Sequence, residues 1–133
     1  MNSLKKIALI DDDSTYVFLT KRMIKSANIS TQIDEFHDGL QALNFLKANQ
    51  NNAEVLPDVI FLDLSMPIMD GWEFLEEYTE VEPSIRKSII LYIVSSSISP
   101  HDFERSRNFS VVSDFIIKPL NKERFIQIMG DLS

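Results

Sequence analysis

Four stretches rich in apolar residues each stop at a side chain able to do chemistry. Residues 7–10 (IALI) stop at Asp11, Asp12 and Asp13, residues 59–62 (VIFL) at Asp63, residues 89–94 (IILYIV) at Ser95, and residues 111–117 (VVSDFII) at Lys118. Carboxylates crowded together repel one another, and a proton or a bound cation relieves the strain. An all-oxygen donor set without histidine or cysteine suits Mg²⁺, which takes one or two protein carboxylates and completes its shell with waters and phosphate oxygens. Lys118 offers charge and Ser95 a hydroxyl to phosphoryl oxygens, the positioning that phosphoryl transfer chiefly needs. An aspartate can itself attack phosphorus and give an acyl phosphate. The acidic triplet has a plainer use too, because Asp13 or Ser14 can cap a helix and complement its dipole. Holding a cation, attacking a phosphoryl group and starting a helix all stay open for the triplet at this level.

Each residue has a structural use when taken alone. Lys118 before Pro119 could be a solvated turn, and Ser95-Ser96-Ser97 a plain loop. Asp63 is harder to read that way, since a carboxylate ending a buried strand is costly to leave unpaired. Four such residues at four strand ends favour a site. His37 and His101 stand beside turn signals and read as surface residues, Trp72 and Phe74 as packing, and Glu76, Glu77, Glu80 and Glu82 as a solvated helix face.

Periodicity identifies the elements that must position this set. A strand at about 5–10 precedes a helix at about 15–27 that places Tyr16, Leu19, Met23, Ile24 and Ala27 on one face. A weaker strand at about 31–36 leads through His37-Asp38-Gly39 to a helix turning Ala42, Leu43 and Leu46 inward. The strand 59–62 follows, then a loop punctuated by Pro67 and Gly71 and a helix through Phe74, Leu75 and Tyr78. The strand 89–94, a helix near 99–108, the strand 111–117 and a helix at about 121–132 facing Phe125, Ile128, Met129 and Leu132 inward complete the pattern. Strands with little alternation are buried on both faces, so the order (βα)5 predicts a doubly wound α/β domain with a five-stranded parallel sheet between helices. Such sheets bind ligands outside the carboxyl ends of their strands.

The totals agree. A chain of 133 residues with 44% hydrophobic and 25% charged residues is expected to form one domain, 1–133, and to fold alone. A formal charge of -7 argues against nucleic-acid binding, which needs a basic face. The absence of cysteine excludes disulfides and thiolate chemistry. The start MNSLKK is followed by only four apolar residues, and no apolar run approaches the ~20 residues of a membrane span, so a soluble cytoplasmic protein is expected.

Two families that form aspartyl phosphates share features with these motifs. IALIDDDST resembles the first motif of haloacid-dehalogenase-type phosphatases, which would make Asp11 the nucleophile, Asp13 the acid/base, Ser95 the second-motif hydroxyl and Lys118 the third-motif lysine. Those enzymes need a further strand ending in acidic residues after the lysine, whereas only MGDLS remains here, and that reading leaves Asp63 and its loop unexplained. The run VIFLDLSMPIMDGWEFL, Val59 to Leu75, resembles the phosphoacceptor segment of two-component receiver domains. The likeness extends to the acidic pair Asp11-Asp12, Asp38-Gly39, Ser95 with small Ser96 after it, and Lys118-Pro119.

The receiver resemblance implies the flavodoxin-like strand order 2-1-3-4-5. It implies that Asp63 takes a phosphoryl group from a sensor histidine kinase or a phosphotransfer protein. Asp12, Asp11 through a water, Asp63 and the backbone carbonyl of Ser65 would hold Mg²⁺. Lys118, joined to Pro119 by a bond often cis in the family, and Ser95 would bind the phosphoryl oxygens. Movement of Ser95 would let Phe115 turn inward and shift the face formed by strand four, helix four, strand five and helix five, so as to control a downstream protein. Ser95 replaces the more usual threonine, Phe115 lacks the hydroxyl of the frequent tyrosine, and Ser65 and Ser97 occupy positions that tune loss of phosphate. The expectation is a receiver without an output domain, a monomer or weak phosphorylation-dependent dimer. A receiver-shaped binding module that is never phosphorylated is the remaining alternative.

Overall fold

Strands apolar on both faces must be covered on both faces, and the computed structural model, which describes residues 4–132, covers them with helices. The elements are β1 (Lys5–Ile10), α1 (Ser14–Ser26), β2 (Thr31–Phe36), α2 (Gly39–Ala48), β3 (Val59–Leu62), α3 (Gly71–Val81), β4 (Ile90–Ser95), α4 (Pro100–Ser106), β5 (Val112–Ile117) and α5 (Lys122–Gly130). A short 3₁₀ turn at Glu82–Ser84, not foreseen from the sequence, follows α3. The strands pair in parallel in the order β2-β1-β3-β4-β5. This is the doubly wound (βα)5 sheet expected, with most boundaries within a residue or two. Met1 to Ser3 of the MNSLKK start, and Ser133, lie outside the described residues.

Alternate strand residues separate two cores. Ala8, Ile10, Ile60, Leu62, Leu91, Ile93 and Phe115 pack with α2 and α3, through Leu43, Leu46, Phe74, Leu75 and Tyr78. Ile7, Leu9, Val59, Phe61 and Val94 pack on the other side with α1 and α5, through Val17, Ile24, Phe125, Ile128 and Met129. Full burial of each such side chain contributes ~1.5–3 kcal/mol. These two layers hold the strands rigidly enough to aim whatever lies just beyond their ends.

One residue of one helix face differs from expectation. Helix α1 buries Val17, Thr20 and Ile24, while Leu19 is 55% exposed. Tyr16, Met23, Ile24 and Ala27 of the expected face do pack on the core that α1 shares with α5, and only Leu19 turns outward, while the polar Thr20 beside it is buried. The other expectations hold: Ala42, Leu43 and Leu46 are buried, Trp72 and Phe74 lie in the core, and His37 and His101 are exposed. Glu76, Glu77, Glu80 and Glu82 are exposed as well. Among the described residues no helix is long and apolar enough to cross a membrane.

Candidate functional site

Because the strands are parallel, their carboxyl ends share one edge, and the backbone ladder continues past each strand to fix the first site residue. The Asp11 N–H donates to the Phe36 carbonyl at 2.9 Å, the Asp63 N–H to the Ile10 carbonyl at 2.9 Å, and the Lys118 N–H to the Ser95 carbonyl at 2.8 Å. Asp11, Asp12 and Asp63 each bring a carboxylate oxygen to within 4.8 Å of the others. Asp11 and Asp63 are 5% and 7% exposed, while Asp12 faces solvent. The Lys118 ammonium reaches between them, 2.9 Å from Asp11 Oδ2 and 3.5 Å from Asp63 Oδ1, and sits 4.2 Å from the centre of the Tyr16 ring. Such a cluster of carboxylate oxygens, with no nitrogen or sulfur donor among them, suits a hard divalent cation.

Burial raises the Asp63 carboxyl, the negative charge of Asp11 raises it further, and Lys118 with the Leu64 N–H pulls it part of the way back, leaving it at about 6. For Lys118, burial works against the charge, but the hydrogen bond to Asp11 and the charges of Asp63 and Asp11 outweigh it and hold the ammonium above its ordinary range. The acidic triplet divides its work. Asp11 Oδ1 accepts the Asp13 N–H at 2.9 Å, and Asp13 Oδ1 accepts the N–H groups of Thr15 and Tyr16 at 3.1 Å as the cap of α1. A capping Asp13 is poorly placed to be the acid/base of a phosphatase, and Asp11 has both oxygens engaged.

Two glycines let elements approach closely around this edge, Gly71 at Asp63 itself and Gly39 at the loop that follows it. A Cβ on Gly71 would lie 2.5 Å from the Asp63 carbonyl oxygen and 2.7 Å from Leu64 Cα, and the Gly71 N–H donates to the Leu64 carbonyl at 2.9 Å. Asp70 and Glu73 form a capping box on the same turn, so α3 starts directly against the end of β3. Gly39 makes a similar approach, its N–H donating to the Met69 carbonyl at 2.9 Å. Read from sequence, Gly71 was only punctuation; the repeated Asp-Gly pair, at 38–39 and 70–71, is the signal that could have found both contacts. Between them Ile68 sits at φ 68°, a left-handed conformation that a β-branched residue rarely adopts.

The hydroxyl side is built from a relay. Ser95 is buried and its Oγ accepts the Ser97 N–H at 3.1 Å; Ser97 Oγ donates to Asp102 Oδ2 at 2.6 Å and accepts the Ser99 N–H at 3.2 Å. Ser65, exposed on the loop after β3, shares with Ser95, Ser97 and Asp102 an open cleft of about 420 Å³. Asp102 was not foreseen, and a serine and an aspartate five residues apart across a loop give no recognisable spacing. The Lys118–Pro119 bond is cis. Phe115 is already buried, its ring centroid 4.4 Å from that of Phe103.

Comparison with known proteins agrees with this geometry. The chemotaxis protein CheY of Listeria monocytogenes is 27% identical over 124 residues, covering 93% of this chain and 94% of that protein. The phosphorylated cyanobacterial phytochrome response regulator RcpA superposes with a TM-score of 0.74 at 27% identity, covering 98% of this chain and 91% of that one. Response regulator Rcp1 in its Mn²⁺-bound form gives 0.72 at 27% identity, covering 95% and 90%. The response regulator receiver domain family matches residues 7–129. With the sheet order, the acidic edge and this match in agreement, the phosphatase reading is set aside, and the chain belongs to the receiver domain family of two-component response regulators.

Proposed function

We propose that this receiver is a phospho-acceptor switch in which Asp63 takes a phosphoryl group from the phosphohistidine of a sensor kinase or phosphotransfer protein. The observation that carries the reading is Asp63 itself: buried at the end of β3, within 4.8 Å of two further carboxylates and 3.5 Å from an ammonium. In the transfer an Asp63 oxygen forms a bond to phosphorus as the phosphorus–nitrogen bond breaks. The imidazole keeps the electron pair and takes a proton from solvent. Hydrolysis reverses the gain, water attacking phosphorus to give inorganic phosphate and the free carboxylate.

With its acid at about 6, Asp63 is mostly ionised at pH 7 and able to attack. Asp11, Asp12, Asp63 and the Ser65 carbonyl would hold Mg²⁺, which when bound supplies charge that neutralises phosphoryl oxygens. Lys118 orients one phosphoryl oxygen and balances its charge, and Ser95 turns its hydroxyl toward another. The neighbours solved phosphorylated and with Mn²⁺ bound support both assignments by analogy.

Phe115 is already inward, so the rearrangement passes through the β4–α4 loop: when Ser95 turns to the phosphoryl group, the Ser95–Ser97–Asp102 relay loosens the start of α4. Phe103 of α4, Ile117 of β5 and Ile126 of α5 are exposed and offer a partner protein apolar contacts on that face. Incubation with acetyl phosphate and Mg²⁺ tests the reading. Wild type and Asp11→Asn, the latter more slowly, should take up a base-labile phosphoryl group, and Asp63→Asn should take up none. Uptake by Asp63→Asn at the wild-type rate would end it, and no uptake by wild type would favour a receiver-shaped binding module.

A further inference from the structure

Among the described residues no strand pairs with the outer edge of β2, and we propose that this edge receives an extended peptide whose α1-facing side chains are acidic and apolar. The β1–β2 register runs without interruption from Lys5↔Thr31 to Ile10↔Phe36. The Lys5 N–H donates to the Ser30 carbonyl at 3.0 Å and the Asp11 N–H to that of Phe36 at 2.9 Å. In a parallel ladder alternate residues turn toward the neighbour. Gln32, Asp34 and Phe36 therefore face β1, and Thr31, Ile33 and Glu35 point their N–H and C=O groups away from the sheet. Edges are usually blocked by proline, by a bulge, by charged side chains or by covering chain; TQIDEF has no proline and its register has no bulge, and of its two carboxylates Glu35, on the α1 side, is neutralised by Lys21 while Asp34 alternates to the opposite face.

A groove of about 630 Å³ lies between this edge and α1. Phe18, Ile29 and Ile33 give it an apolar floor, and Lys21, Arg22 and Lys25 give it a cationic wall, with no carboxylate in the lining although the chain carries -7 overall. Lys21 is ion-paired with Glu35 of β2, and the Arg22 guanidinium lies 5.9 Å over the Phe18 ring. A strand added beside Ile33 sends every second side chain toward α1. Carboxylates there meet the wall and apolar groups meet Phe18 and Ile29, which is strand addition with side-chain selection. A second copy of this chain fits less well, since edge-to-edge pairing about a twofold axis perpendicular to the sheet sets one α1 cation row beside the other.

The probe is a capped peptide, TETVTETV, titrated into the full chain and followed by backbone amide NMR. The expected result is perturbation and slowed hydrogen exchange at Thr31, Ile33 and Glu35, with affinity falling at least about tenfold in Arg22→Glu/Lys25→Glu and for the lysine peptide TKTVTKTV. Ile33→Pro, which removes one outward donor without touching the β1 ladder, should weaken binding while the β1 amides keep their protection. Asp63→Asn should bind as wild type does, because the groove does not depend on phosphoryl chemistry. Equal binding of the lysine peptide, or shifts confined to other surfaces, would overturn the proposal. So would displacement of the peptide by inorganic polyphosphate without protection of the edge amides, which would mark a plain anion patch.

Discussion

Asp11 and Asp63 are held by one ammonium, at 2.9 and 3.5 Å, in a corner where little solvent reaches, whereas Ser95 is held by a relay of hydroxyl hydrogen bonds through Ser97 to Asp102. The helices that follow differ in the same sense. Helix α3 has eleven residues, a capping box and Gly71 pressed onto the backbone of Asp63 and Leu64, while α4 has seven residues and its cap, Ser99, makes no side-chain hydrogen bond to the helix. Charges in a low-dielectric site put several kcal/mol at stake, and a hydroxyl hydrogen bond about 1 kcal/mol net. Under the proposed function the contrast divides the parts: the carboxylate side would stay fixed for chemistry, and the hydroxyl side would change partners at small cost.

The largest test of that contrast is Lys118→Met, which strands two buried carboxylates. Urea unfolding of the metal-free protein at pH 7.5 should show a loss of ~2–4 kcal/mol, shrinking at pH 5. Next is Gly71→Ala, whose methyl meets backbone rather than a flexible side chain and should cost ~1–3 kcal/mol and slow labelling of Asp63.

The pH dependence follows from the Asp63 acid at about 6. A folded-state acid raised above its unfolded value near 3.9 adds stability that is complete below pH ~3.9 and lost as pH rises through ~6. Allowing for screening at the open side of the site, this carboxyl contributes ~1–2 kcal/mol. Metal-free Asp63→Asn should therefore be the more stable protein at pH 8, melting a few degrees above wild type, and the gap should close by pH 5. A lower melting temperature at pH 8 would mean that Lys118 overcompensates the crowding. The smallest effect belongs to the relay. Ser97→Ala should cost only ~0.5–1 kcal/mol and speed amide exchange at Ser99 without disturbing Asp11 or Asp63. A loss matching that of Lys118→Met would erase the distinction between the two sides.

Much of this was legible in the chain because a strand rich in apolar residues that ends abruptly at a polar one declares both its boundary and a candidate site; Asp11, Asp63, Ser95 and Lys118 are all placed that way. Strand order was not readable from periodicity and came from the receiver resemblance. What escaped depends on partners distant in sequence or on backbone shape. Thr20 replaces Leu19 in the core because a small polar residue can be buried where apolar counting expects a leucine. Gly71 touches Asp63 only after α3 docks, Asp102 reaches Ser97 only after the loop turns, and nothing in an isoleucine announces the left-handed backbone of Ile68.

The central claim is that the attacking carboxylate is Asp63 and not a member of the triplet. Borohydride reduces an aspartyl phosphate to homoserine, so treating the acetyl-phosphate-labelled protein with it and sequencing its peptides by mass spectrometry reads the site directly. The account predicts homoserine at position 63 in Mg²⁺ and none when the metal is chelated; homoserine at position 11, or at neither, would contradict it.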